Sequence, residues 1–350
     1  MKIKWYKDKQ LMNVNQKNGV TWLTYPAFEK IPGIVHGFST RLGGVSQGIY
    51  ESMNLSFTRG DNEDAVRENY RRLSDAMGFS MGDIVTSDQT HTTNVHVVTE
   101  TDRGNGITKP RPYTDVDGMI TNVPGLVLAT FYADCVPLFF VDPVHKAVGL
   151  SHSGWRGTVG KIGKATVEKM AEEFQTDPSE LYAAIGPSIC QDCYEVSEDV
   201  IEQFKEAFEE KYWNELFYEK PDGKYQLNLW EANRRIFLDA GIKEERISMP
   251  ASAPAVIRSF FTHTELPTEN VAIWEHLFLF VDFLHEIHDL FVTGTNFLDR
   301  YIMVDDINDT CKIFAHICFD IVWTVEKFRN TVVKVGCDDS VQPAFFVIFI

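Results

Sequence analysis

The sequence is poor in cysteine, with six in 350 residues. That is too sparse for a disulfide framework, which needs closely spaced pairs. Positive charge is also short. Lys and Arg number 33 against 50 Asp and Glu, a formal net charge of −17. With no basic patch in view, the chain would repel phosphate backbones, which argues against nucleic-acid binding. A long apolar run is missing too. The best stretch, Val271 to Phe291, is interrupted by Glu275, Asp282, Glu286 and Asp289, so it makes a poor membrane span. The first residues, Met1-Lys2-Ile3-Lys4-Trp5-Tyr6-Lys7, lack the apolar core of a secretory signal. The expectation is a soluble, cytoplasmic chain with reduced thiols. Neither GxGxxG nor GxSxG occurs, and Gly160-Lys161-Ile162-Gly163-Lys164 lacks P-loop spacing. These absences count against a Rossmann dehydrogenase, an α/β-hydrolase and a nucleotide kinase. Nothing in the pattern fixes an oligomeric state.

Glycine is nearly absent from one part of the chain. Residues 1–250 hold 21 of the 23 Gly and 12 of the 25 Phe, while residues 251–350 hold two Gly and 13 Phe. The same tail carries 14 acidic and 6 basic residues. Folded segments use Gly at turns and helix ends, so its loss marks a break near residue 252.

Before the break, strands and helices alternate. Asp61-Asn62-Glu63-Asp64 opens a helix with Val66, Tyr70, Leu73 and Met77 on one face and Gly78 just past it. Leu126 to Phe131 reads as a buried strand, and Leu138 to Val141 with Ala147 to Leu150 as a hairpin about Asp142-Pro143. Thr158 to Phe174 reads as one helix, and Leu181 to Ile185 as a strand. Ser197 should cap a helix running to Lys211, and Asn228 to Ala240 a helix stopped by Gly241. The fold class is α/β or α+β with mixed sheets.

Three residues at element ends could carry chemistry. Cys135 lies in Tyr132-Ala133-Asp134-Cys135-Val136-Pro137, directly after a buried strand. Loops at strand ends are where α/β proteins place reactive groups, although a free Cys is often just a small buried apolar residue. His152 lies in Ser151-His152-Ser153-Gly154-Trp155-Arg156-Gly157, between an apolar strand and a helix. The glycines there allow close backbone approach, and Arg156 offers a fork for an anion. His91 sits in the polar segment Asp88-Gln89-Thr90-His91-Thr92-Thr93-Asn94, ahead of a strand in which His96 alternates. Two His and one Cys suit a three-ligand zinc site with one open position, the catalytic pattern. The same Cys and His also suit a metal-free nucleophile and base, a Cys–His hydrolase or amidase. Sequence separation does not choose between them. Cys190-Gln191-Asp192-Cys193 is a lone CxxC, and His285-Glu286-Ile287-His288 has the wrong spacing for a zincin.

His36-Gly37-Phe38-Ser39-Thr40-Arg41 followed by Gly43-Gly44-Val45-Ser46 resembles the opening block of the YfiH-type laccase-domain family. Its members are described as polyphenol oxidases or as purine nucleoside phosphorylases. Asn54-Leu55, Gly60-Asp61, Gln89-Thr90-His91, Ala133-Asp134-Cys135-Val136-Pro137, His152 to Gly157, Gly186-Pro187-Ser188-Ile189 and Asn228-Leu229 continue the series in order, over about residues 20–250. The resemblance implies a layered α/β/β/α sandwich and a zinc ion at His91, Cys135 and His152. It also implies phosphorolysis of adenosine, inosine, guanosine and methylthioadenosine, and deamination of adenosine, so purine nucleosides and phosphate are the expected partners. Arg41 and Arg156 are the candidates for holding phosphate. Copper is associated with the family, so a copper-dependent polyphenol oxidase is a further alternative, but three dispersed positions are too few to argue a multicopper centre. Zinc deaminases add a carboxylate proton shuttle. Asp134 is adjacent in sequence, and no residue is assigned that role.

The family's C-terminal block, Cys-Thr-Ser-Cys-Asn-Pro-Glu, is replaced by Ala253-Pro254-Ala255-Val256-Ile257-Arg258-Ser259. That peptide can be written GCA CCA GCT GTA ATC CGG AGT. A T placed in front and a frame one base earlier give the family block. The expectation is a catalytic domain over residues 1–252 and an out-of-frame or poorly folded tail over 253–350. A genuine appended domain and an inactive family member are the alternatives.

Overall fold

The computed structural model describes residues 11–250 and 345–349. The chain divides into two units, Met1–His263 with Gln342–Ile350, and Thr264–Val341; the described residues belong to the first. The expectations for the chain start, Val271 to Phe291, His285, His288 and most of the tail lie outside the described residues.

In order, the strands and α-helices are β1 (Asn13–Lys17), β2 (Val20–Thr24), α1 (Pro26–Glu29), β3 (His36–Ser39), α2 (Glu63–Met77), β4 (Ile84–Thr86), β5 (Val95–Val97), β6 (Gly118–Thr121), β7 (Val127–Tyr132), β8 (Val136–Asp142) and β9 (Ala147–Ser153). They continue with α3 (Trp155–Val159), α4 (Ile162–Phe174), β10 (Tyr182–Ile185), β11 (Glu195–Val196), α5 (Glu198–Ala207), α6 (Trp213–Leu216), β12 (Phe217–Glu219), β13 (Tyr225–Leu227), α7 (Leu229–Asp239), β14 (Ile247–Ser248) and β15 (Phe345–Phe349). One six-stranded sheet runs β1-β2-β3-β15-β7-β4, and a second runs β14-β10-β8-β9-β6-β5. Both are mixed, with β4·β7, β5·β6 and β10·β14 parallel. A small antiparallel sheet joins β11-β13-β12. Strand β15 pairs antiparallel with both β3 and β7, so those two run parallel to each other across it.

Side-chain alternation builds the layers, because successive strand residues face opposite ways. On β8, Phe139 and Val141 pack against Leu23, Phe38 and Leu128 of the first sheet. Their neighbours Leu138 and Phe140 pack against Ile162 and Met170 of α4 and Phe237 of α7. On β7, Val127 and Ala129 turn outward to Val66, Tyr70 and Leu73 of α2. The result is helix, sheet, sheet, helix: the expected α/β/β/α sandwich. Each large side chain buried in this way contributes about 1.5–3 kcal/mol.

Two helices differ from expectation. The segment from Thr158 to Phe174 is not one helix. It breaks at Gly160-Lys161, where Lys161 is left-handed at φ 60°, and helix α3 already starts at Trp155. A β-carbon on Gly160 would stand 2.7 Å from Thr93 Cγ2, so the break admits the loop that carries His91. Helix α5 ends at Ala207, where buried Phe208 turns extended and stacks on Phe204 at 5.6 Å. Ser197 donates its hydroxyl to Asp199 rather than capping the helix. Elsewhere the reading holds: Asn62 caps α2, Gly78 ends it in the left-handed region, and Asn228 caps α7. Among the described residues, no helix is long and apolar enough to cross a membrane.

Candidate metal centre

Strand order brings the site together. In β8-β9-β6-β5, the start of β8, the end of β9 and the starts of β6 and β5 lie at one edge. The ladders set the levels. Val136 pairs with Ser153, Gly118 with Ser151, and Val95 with Gly118. Cys135, His152 and the His91 loop therefore meet, although 61 residues of sequence separate the first and last of them.

One donor atom from each of His91, Cys135 and His152 lies within 4.8 Å of the others. Sγ of Cys135 is 3.8 Å from Nε2 of His91. Two ligands on a tetrahedral zinc, at about 2.3 Å for sulfur and 2.0–2.1 Å for nitrogen, stand about 3.6 Å apart, so the spacing fits. Gly154 makes room. A β-carbon there would lie 2.8 Å from Cδ2 of His91 and 2.9 Å from Sγ of Cys135. His152 is buried, Cys135 half-buried and His91 exposed, so the cluster opens to solvent on the His91 side. The His91 and His152 rings meet edge-on at 4.9 Å.

Asp117 is the residue that sequence reading missed. It is fully buried. Its Oδ1 accepts from Nδ1 of His152 at 2.8 Å and from the backbone N–H of His91 at 3.1 Å. Its Oδ2 accepts from the N–H groups of Thr90 and Thr92, at 3.1 and 2.7 Å, and from the Thr92 hydroxyl at 2.9 Å. The available signal was a carboxylate directly ahead of the apolar strand Gly118-Met119-Ile120. A charge in that position is buried only if it is paired.

The electrostatics follow from these contacts. Burial pushes the Cys135 thiol up, but hydrogen bonds and charge from His152 and His91 outweigh it and bring the thiol down to about 7. Burial pushes His152 down, but Asp117 and Cys135 outweigh that and raise it to about 9. Burial raises Asp117, and its bonds to His152 and the Thr92 and Thr90 N–H groups reverse this and hold it low. A thiolate is the metal-binding and nucleophilic form of cysteine. Metal binding here would release the His152 proton.

The other expected residues are placed as follows. Arg156 is exposed, its guanidinium 4.3 Å from the centroid of the Trp155 ring, two residues beyond Gly154. Burial, with the negative charges of Cys135 and Asp134, pushes the half-buried Tyr194 phenol up to about 12, and Arg156 opposes them. Those four side chains thus share one electrostatic neighbourhood. Arg41 follows β3 at the end of the first sheet that also holds the Ala133–Cys135 turn, and it donates to the Glu51 carbonyl at 2.9 Å. His96 lies in β5 as expected, 3.4 Å from Asp102, outside the cluster. Burial pushes the Cys190 thiol up to about 11, and neither Cys190 nor Cys193 joins a metal-capable group among the described residues.

The family model described as multi-copper polyphenol oxidoreductase laccase matches residues 35–268. Purine nucleoside phosphorylase YlmD of Bacillus subtilis (strain 168) is 38% identical over 217 residues, covering 62% of this chain and 77% of that protein. Adenosine deaminase RL5, from an unknown prokaryotic organism, is 39% identical over 218 residues, covering 61% and 81%. The crystal structure of YlmD from Geobacillus stearothermophilus aligns with a TM-score of 0.66 at 34% identity, covering 73% of this chain and 93% of that one.

Proposed function

The chain belongs to the family described as multi-copper polyphenol oxidoreductase laccase, and on that premise we propose that it is a zinc-dependent enzyme of purine nucleosides. It would cleave adenosine, inosine, guanosine and methylthioadenosine with phosphate and deaminate adenosine. The observation that carries this reading is the convergence of His91, Cys135 and His152 around Gly154. The names of the relatives, phosphorylase and deaminase, supply the substrate class.

His91, Cys135 and His152 would hold the metal. Two imidazoles and a thiolate with an open side suit zinc, which when bound supplies a Lewis acid that polarises water. Among the described residues this is the one group of three or more donors, whereas a multicopper centre needs several. The remaining work falls to side chains. Arg156 would hold phosphate by charge-assisted hydrogen bonds, with Arg41 as the second candidate from the opposite sheet. Asp117 keeps His152 facing the cluster.

The test is purified full-length protein with adenosine and phosphate, read by chromatography, with metal content measured on the same sample. Adenine or inosine with about one zinc per chain supports the reading. Bound zinc with no turnover of any of the four nucleosides would overturn the assigned activity. A metal other than zinc would overturn the assigned metal.

A second reading is favoured by one contact. Asp117 accepts from Nδ1 of His152, and a ring nitrogen of His152 lies within 4.8 Å of the Cys135 sulfur, the order of groups that a thiol hydrolase uses. Alkylation by iodoacetamide that ends activity while zinc stays bound would favour it. The boundary at residue 252 stands as a proposal of its own. Resequencing the coding DNA tests it, since an intact frame through residues 253–350 would refute an out-of-frame tail.

A further inference from the structure

We propose that Asp117 is the positioning residue of the site, one buried carboxylate that sets both the path of the His91 loop and the tautomer of His152. The inference rests on reading His91, Cys135 and His152 as metal ligands.

Counting donors and acceptors leads there. Asp117 receives five donors: the N–H groups of Thr90, His91 and Thr92, the Thr92 hydroxyl and Nδ1 of His152. An ionised carboxylate only accepts, so Nδ1 of His152 must carry a proton. That leaves Nε2, with its lone pair, as the ligand atom. The choice is made outside the cluster, by a residue that touches no metal. The same carboxylate gathers three successive N–H groups around His91, whose backbone is left-handed at φ 66°. A non-glycine residue stays in that region only when its surroundings over-determine it. Two ligands, one on a loop and one on β9, are thus registered against one group. The third, Cys135, is set independently by the β8·β9 ladder.

Asp117→Asn breaks this logic without changing size. An amide has one acceptor oxygen and a donor NH2. If the NH2 faces Thr90 and Thr92, it meets three donors. If it faces His152, Nδ1 must become an acceptor, and the ring proton moves to Nε2 on the metal side. Either way the zinc site loses a prepared ligand. Outer partners of metal-bound histidines are typically worth about 10–100-fold in metal affinity.

The experiment uses the full chain and zinc alone, in competition with a chromophoric chelator. Asp117→Asn is expected to fold with a lowered melting temperature, because it buries mismatched donors, and to bind zinc about 10–100-fold more weakly. Histidine-selective 15N spectra of zinc-loaded wild type should show His152 protonated at Nδ1 and metal-bound through Nε2. This second readout needs no variant, so it tests the tautomer even if Asp117→Asn fails to fold. A folded Asp117→Asn with unchanged zinc affinity, or His152 bound through Nδ1, would overturn the inference and leave the metal reading standing. A wild type that binds no zinc would overturn both.

Discussion

Gly154 leaves room for the sulfur of Cys135: a β-carbon on it would stand 2.9 Å from Sγ. The backbone at Gly154, φ −73° and ψ −178°, is open to any residue. The glycine is therefore required for space rather than for conformation. Gly154→Ala should leave the melting temperature almost unchanged while pushing Cys135 and His91 apart. Zinc affinity should fall, and turnover by about 100-fold, the usual result of misplacing reacting groups by an ångström. Unchanged zinc binding in a soluble Gly154→Ala protein would show that the loop relaxes instead.

Arg156 separates the two proposed reactions. Phosphorolysis needs an anion held in place, and deamination does not. Arg156→Ala should raise the KM for phosphate by about 10–100-fold, the worth of one charge-assisted hydrogen bond. Deamination of adenosine should continue at its former rate. Parallel assays on one preparation check this, and an equal loss in both reactions would place Arg156 on the nucleoside or in the scaffold.

His36 should make the fold acid-sensitive. It is buried, its Nε2 accepts from the backbone N–H of Tyr25 at 2.7 Å, and burial pushes its pKa from 6.5 down to about 3. The unfolded chain takes up this proton below pH 6.5 and the folded chain does not until about pH 3. Stability from this residue is therefore whole above pH 6.5 and falls progressively as the pH drops towards 3. The loss reaches roughly 2 kcal/mol by pH 5. Urea midpoints at pH 8 and pH 5 should diverge in wild type and much less in His36→Gln. Equal slopes in the two proteins would remove His36 from the account.

Tyr25 ties the two sheets together. It follows β2 of the first sheet and donates its hydroxyl to the carbonyl of Ile185, at the end of β10 in the second. Both residues are buried, so Tyr25→Phe removes a donor from a buried carbonyl. A loss of about 1–3 kcal/mol is expected in denaturant unfolding, with zinc affinity unchanged.

Much of the architecture was legible because its causes are local. The apolar run of β8 with its turn at Asp142-Pro143, and the apolar face of α2 with its Asn62 and Gly78 ends, depend on neighbours within a few residues. The single helix expected over Thr158 to Phe174 failed because its break answers to Thr93, a residue distant in sequence.

The same division runs through the candidate site. The sequence by itself determined which residue types were on offer: His91, Cys135 and His152, each at the end of an element within an ordered series of blocks. It also marked Gly154 as a place where backbone could come close. That these three meet was decided only by the order β8-β9-β6-β5, in which hydrogen bonding makes neighbours of strands that the chain visits far apart. Tertiary structure alone made Asp117 part of the site, because a carboxylate's burial and its donors belong to the packing around it. No pattern within a single segment records them.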